Sequence, residues 1–243
     1  MRPLFAFAIT LLICGAAVAQ TTSGAQRTMT ATVVDGAVIL QRADGTVQTL
    51  RSGTLLREGD VLQTGADSRV EMALSDGSTL RLGENAKFEV RVSPPSGKVF
   101  SARLWLGAVW AQVHKLLQDE AFQVETENAV AGVRGTEFTV ESRSGGEDAV
   151  RVYSGTVDVR DHAGQWTHRV ETGRELAVRR GLVPDGPKPF DPAADRANKL
   201  MRWVREQPSR SDDAADRLQR RSTDKEKRER PERRNRLFER RER

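Results

Sequence analysis

Residues 129–142 read AVAGVRGTEFTVES, from Ala129 to Ser142. Val130 and Val133 lead into Arg134-Gly135-Thr136. Phe138 and Val140 then alternate with Thr139 and Glu141, the period-two pattern of a strand with one buried face. A glycine inside such a pattern marks a bulge or the close approach of another backbone. Arg134 stands where an apolar residue is expected, and a local conflict of that kind marks a polar anchor or a functional site. Two roles for it stay open. Arg134 either satisfies buried carbonyls or a carboxylate and fixes the register of the sheet, or it projects to a partner surface. The first role predicts that Arg134→Ala lowers stability, because a lone buried charge is too costly.

The same alternation extends outward in both directions. Val70, Met72 and Leu74 alternate with polar residues, Asp76-Gly77 signals a hairpin turn, and Leu80 and Leu82 continue on the return strand. Phe88, Val90 and Val92 alternate before a Pro94-Pro95-Ser96-Gly97 break. Leu104 to Val113 is a dense apolar strand carrying Trp105 and Trp110. Phe122 and Val124, Val150 and Val152, Val157 and Val159, then Leu176 and Val178 complete the series. Glycines recur at Gly36, Gly59, Gly83, Gly107, Gly132, Gly155 and Gly173, mostly 23 to 25 residues apart. That period fits a roll or solenoid, and a two-sheet sandwich gives similar turn spacing. The fold class is therefore all-β: a single rolled or sandwich-like sheet domain over residues 30–183, with a solenoid-like β-roll as one form of it. A short C-terminal helix and a charged tail follow.

Several of these segments together resemble one family. Phe122 to Thr126, Val133-Arg134-Gly135-Thr136-Glu137-Phe138-Thr139-Val140 and Val150 to Val157, which includes Gly155, look like the periplasmic domain of FecR-type proteins. Upstream, Gly59-Asp60 to Thr64-Gly65 and Leu74 to Leu82, with Asp76 and Gly77, match the same pattern. The resemblance covers roughly residues 50 to 180 and implies a Gram-negative periplasm, where such proteins relay signals from outer-membrane receptors to a sigma factor. Only Met1, Arg2 and Pro3 precede the first apolar run, so the expectation is a stand-alone exported domain lacking the sigma-regulating region.

The N-terminus reads as a signal peptide over residues 1–19. Arg2 starts it, Leu4 to Ile13 is apolar, and Ala17-Val18-Ala19 is a cleavage site. Lipoprotein cleavage before Cys14 is the rival reading, and bulky Ile13 argues against it. Removal of Cys14 leaves no cysteine, hence no disulfide and no thiolate metal site. The expected product is periplasmic or secreted, with no transmembrane segment after cleavage. Residues 20–29 read as a flexible lead-in and residues 184–190 as a linker. Residues 191–207 read as an amphipathic helix, with Asp191 as N-cap and Pro192 at its first position. Residues 208–243 form the tail. From Gln207 onward there are 14 Lys/Arg against 9 Asp/Glu, a net of +5 that equals the charge of the whole chain. The body is thus neutral, which argues against a nucleic-acid-binding face. The tail, disordered or a solvated helix, either solubilises the protein or tethers it to anionic envelope polymers.

No phosphate-cradling loop, HExxH, GxSxG or EF-hand pattern is present. His114, His162 and His168 are the only histidines, too few for a metal site. Asp119 and Glu120 form no recognisable acid–base pair, and Asp60 and Asp76 read as turn-forming side chains. Trp105 and Trp110 face opposite sides of a regular strand. One of them packs in the core or against a docked helix and leaves the other exposed, Tyr153 is a further aromatic, and Trp166 is the candidate ligand contact. The expectation is therefore a non-enzyme without cofactors. It would act in extracytoplasmic signalling or bind an envelope protein, by strand addition at an exposed sheet edge. The alternative is a structural protein that binds carbohydrate such as peptidoglycan.

Overall fold

A computed structural model describes residues 28–92, 99–114, 121–193, 195 and 198–207. The signal peptide with Cys14, most of the lead-in, the Pro94–Gly97 break, Asp119, Glu120 and the tail lie outside the described residues.

The chain builds two β ladders and passes between them repeatedly. β1 (Met29–Asp35) belongs to the first ladder, and the hairpin of β2 (Val38–Gln41) and β3 (Val47–Thr49) to the second. β4 (Leu55–Leu56) returns to the first and β5 (Val61–Thr64) to the second. The hairpin of β6 (Arg69–Leu74) and β7 (Thr79–Leu82) lies in the first, and β8 (Lys87–Val92) in the second. β9 (Val99–Gln112) runs through both. Then β10 (Ala121–Glu125) with β11 (Val130–Val133), and β14 (Thr156–Arg160) with β15 (Thr167–Glu171), extend the second ladder. β12 (Glu137–Arg143), β13 (Glu147–Ser154), β16 (Arg174–Arg179) and β17 (Lys188–Pro189) extend the first. Pairing is antiparallel except between β9 and β10.

Alternation explains why the two ladders close on each other. Leu40, Leu62, Phe88, Phe122, Val157 and Val170 point inward from the second ladder. Met72, Leu80, Leu82, Phe138, Val140 and Val152 point inward from the first, and all belong to one buried cluster. Burying such side chains is worth roughly 1.5–3 kcal/mol each before conformational entropy is set against it. The sandwich-like, rolled sheet expected from the sequence is what forms.

β9 bends where it changes ladder. Val99 to Leu106 pairs with β8 and β10, and Gly107 to Gln112 pairs with β7 and β12. Phe88 faces Leu104 while Lys87 faces Leu106, so Trp105 is the extra residue of a bulge. The inward set accordingly changes from Phe100, Ala102 and Leu104 to Val109 and Ala111. Gly107 makes the turn possible: its φ is +91°, and a Cβ there would come within 2.5 Å of Ala86 Cβ. The strand is therefore not regular, and each tryptophan lies on the outer face of its own ladder. Trp105 is 41 % exposed, whereas Trp110 is buried beneath the helix.

That helix, α1 (Lys199–Glu206), is shorter than the sequence suggested and starts later. Its N-cap is Asn198, whose Oδ1 accepts the Leu200 N–H at 2.9 Å. Asp191 instead accepts the Ala193 N–H at 2.8 Å, closing a local turn. Leu200, Met201 and Trp203 pack with Trp110 on the outer face of the first ladder. Arg81, 1 % exposed, donates to the carbonyls of Val204 (3.2 Å) and Gln207 (2.6 Å) at the helix C-terminus. A cation there meets the negative end of the helix dipole. Among the described residues no helix is long and apolar enough to cross a membrane.

Candidate functional site

Arg134 and Gly135 form the bend between β11 and β12 rather than a strand interior. Gly135 has φ +84°, which side chains rarely adopt. Thr136 is buried and anchors the bend three ways. Its N–H donates to the Val113 carbonyl at 3.0 Å, and its own carbonyl accepts the Val113 N–H at 2.9 Å. Its Oγ1 donates to the Thr156 carbonyl at 2.9 Å. Gly155, at φ +88°, turns β13 into β14 directly against this bend, and a Cβ on it would meet the Gly135 carbonyl at 2.9 Å. Val133 and Phe138 point into the core on either side.

Arg134 itself is exposed. Among the described residues it has no hydrogen bond or ion pair, so it is not the buried anchor of the sheet register. A bend needs no apolar side chain at its apex, and the conflict with the strand pattern disappears. Thr136 and the two glycines hold the register here, and Arg134 faces solvent.

The bend opens onto the outer face of the second ladder. Gln123, Gly132, Asp158 and Arg169 form one cross-strand row over β10, β11, β14 and β15. Gly132 contributes no side chain, so the row dips at its centre. The result is a shallow cleft of about 850 Å³ bordered by Arg134, Gly135, Gly155, Arg160, Arg169 and Glu171. Asp158 and Arg169 pair across strands at 3.0 Å, which raises the Arg169 pKa above its ordinary value. Both side chains are more than half exposed, so the pair contributes little to stability. Among the described residues the cleft thus offers bare backbone, a cation without an internal partner and a polar rim. This arrangement can hold an extended chain or a carboxylate, and among the described residues it contains no nucleophile–base pair.

The remaining motif residues lie elsewhere and hold turns. Gly59 has φ +80°. Asp60, 1 % exposed, accepts the Arg57 N–H at 2.8 Å and the Arg42 guanidinium at 2.6 Å through Oδ2. Thr64 Oγ1 donates to the Gly83 carbonyl at 2.7 Å and accepts the Ala86 N–H at 2.9 Å. Asp76 Oδ1 accepts the Ser78 N–H at 2.8 Å, and Gly77 turns the β6–β7 hairpin at φ +87°.

Trp166, the expected ligand contact, is half-buried against the core with its ring 5.7 Å from that of His168. His162 Nε2 lies 3.0 Å from the Thr126 carbonyl, and His114 packs beside Gly77. Among the described residues no cluster of His, Cys, Asp or Glu could hold a metal ion. Tyr153 hydroxyl donates to Asp195, and burial together with this bond raises its pKa. The more exposed indole is Trp105, and its ring is covered by the Arg103 guanidinium at 3.8 Å.

Sequence reasoning singled out Arg134, Gly135 and Gly155 and missed Arg160, Asp158 and Arg169. The alternation in Thr156–Arg160 and Thr167–Glu171 places these outward, but only the register brings them beside Arg134.

Residues 60–158 match the family model described as FecR protein. This part of the chain is a FecR-type domain. The match contains the bend and the floor of the cleft, while Arg160 and β15 lie just past it. No curated protein matches the chain. The chain is also similar to two crystal structures of a candidate anti-sigma factor from Parabacteroides distasonis ATCC 8503. They are 18 % and 17 % identical over 59 % and 58 % of this chain, both with a TM-score of 0.49. The chain spans 64 % and 63 % of those two structures. A cell surface anchoring domain is 28 % identical over 25 % of this chain and 80 % of its own, with a TM-score of 0.24.

Proposed function

We propose that this chain is an exported, non-catalytic protein of the cell envelope whose FecR-type domain binds a protein partner in extracytoplasmic signalling. The observation that carries this reading is Arg134. A residue of the family motif, exposed and without a partner among the described residues, stands at the rim of a cleft whose rigid frame is built by the neighbouring motif residues Gly135, Thr136 and Gly155. A frame of that kind positions a contact residue at little entropic cost to binding. Periplasmic location follows from the reading of residues 1–19 as a signal peptide and belongs to the same proposal.

A photo-crosslinking residue at position 134, followed by identification of the captured species in cells, tests the reading. Capture of an outer-membrane receptor or an anti-sigma protein supports it. Capture of peptidoglycan, or of abundant envelope proteins alone, favours the structural alternative.

A further inference from the structure

β15 forms the free lateral edge of the second ladder. It pairs with β14 along its whole length, from Thr167 opposite Arg160 to Glu171 opposite Thr156, and with no other strand among the described residues. The other outermost strands are shorter. β4 and β17 have two residues each, β17 includes a proline, and β3 has three. Short or proline-bearing edges are protected against pairing, whereas a longer edge of five residues is a template for another strand.

The outward side chains of β15 are Thr167, Arg169 and Glu171, all exposed, and Val170 between the last two is fully buried beneath its own sheet. Two copies of this edge placed antiparallel about a two-fold axis through Val170 bring Arg169 of each opposite Glu171 of the other. An isologous interface requires a surface complementary to itself, and this segment meets that condition in charge and in face. No other residue-centred register within β15 does so: one centred on Arg169 sets like charges together. Asp158 already lies beside Arg169 at 3.0 Å, so the pairing prolongs an alternating row of charge across the junction.

We infer that the β15 edge is a homodimer interface, in which two chains join their second ladders into one continuous sheet centred on Val170. This goes beyond binding of an envelope partner and stands or falls separately. The two clefts then lie side by side on one surface across the axis.

Light scattering coupled to size exclusion, run on the full exported chain over a concentration series, tests the inference. The wild type is expected to be a dimer. Arg169→Glu and Glu171→Arg should each weaken dimerisation by about tenfold or more, because each places two like-charge pairs at the axis. The double variant R169E/E171R should restore it, and an equimolar mixture of the two single variants should form the heterodimer. Thermal unfolding confirms that the variants are folded. A monomeric wild type, or a dimer indifferent to both reversals, overturns the inference.

Discussion

Arg81 and Glu71 face each other on adjacent strands of the first ladder, Nε to Oε2 at 2.9 Å, with both side chains no more than 3 % exposed. The same guanidinium holds the last carbonyls of α1 and lies 4.8 Å from the Trp203 ring. One side chain thus neutralises a buried carboxylate and closes a helix end.

Arg81→Met should therefore cost about 3–5 kcal/mol, since it breaks a buried ion pair and removes the cation at the helix end. The double variant R81M/E71L should be more stable than R81M alone, because it also removes the buried carboxylate that Arg81 had neutralised. Urea unfolding measures both, and a double variant weaker than the single would refute the account.

Arg134→Ala is expected to leave stability within about 0.5 kcal/mol of wild type, as for an exposed residue with no partner among the described residues. Gly132→Leu belongs with it. A Cβ on Gly132 meets only the Asp158 carbonyl, at 3.7 Å, so the fold has room for a side chain that fills the cleft. Partner capture should fall for both variants while their melting temperatures stay put. A large loss of stability in Arg134→Ala would return the residue to the sheet interior.

Gly155→Ala combines positive φ with a 2.9 Å approach to the Gly135 carbonyl. It should destabilise by more than about 1 kcal/mol, and Gly135→Val should do the same through its φ of +84°. An unchanged denaturation midpoint for either would show that the bend relaxes freely.

Tyr153 is the chain's only tyrosine, so ultraviolet absorbance follows its ionisation alone. Burial, then the bond to Asp195, raises its pKa above the ordinary 10.0 in the folded state. The neutral phenol is therefore favoured by folding. Its contribution to stability is complete below pH 10 and is lost as pH rises toward the folded value. Tyrosinate should appear only together with unfolding. Titration near 10 in a protein still folded by circular dichroism would contradict this.

Sheet content, the Asp76-Gly77 hairpin and most inward residues were legible because period-two alternation is a local property. Phe138, Val140, Val157 and Val159 are buried as their spacing requires. The place of Arg134 was not legible, because a bend and a bulge interrupt the same alternation and differ only in tertiary pairing. One buried and one exposed tryptophan were legible, but not that both lie on outer faces, because the bulge at Trp105 shifts the face of everything after it. Arg81 escaped notice because its partners, Glu71 and residues 203–207, are set by packing rather than spacing.

Docking of α1 also gives the molecule two working sides. Arg81 fixes the helix end at Gln207 on the outer face of the first ladder, and the Arg134 cleft lies on the outer face of the second. The described residues therefore end, at Gln207, on the side remote from the cleft. The helix and the cleft thus occupy opposite outer faces, and a ligand seated in the cleft leaves the docked helix uncovered.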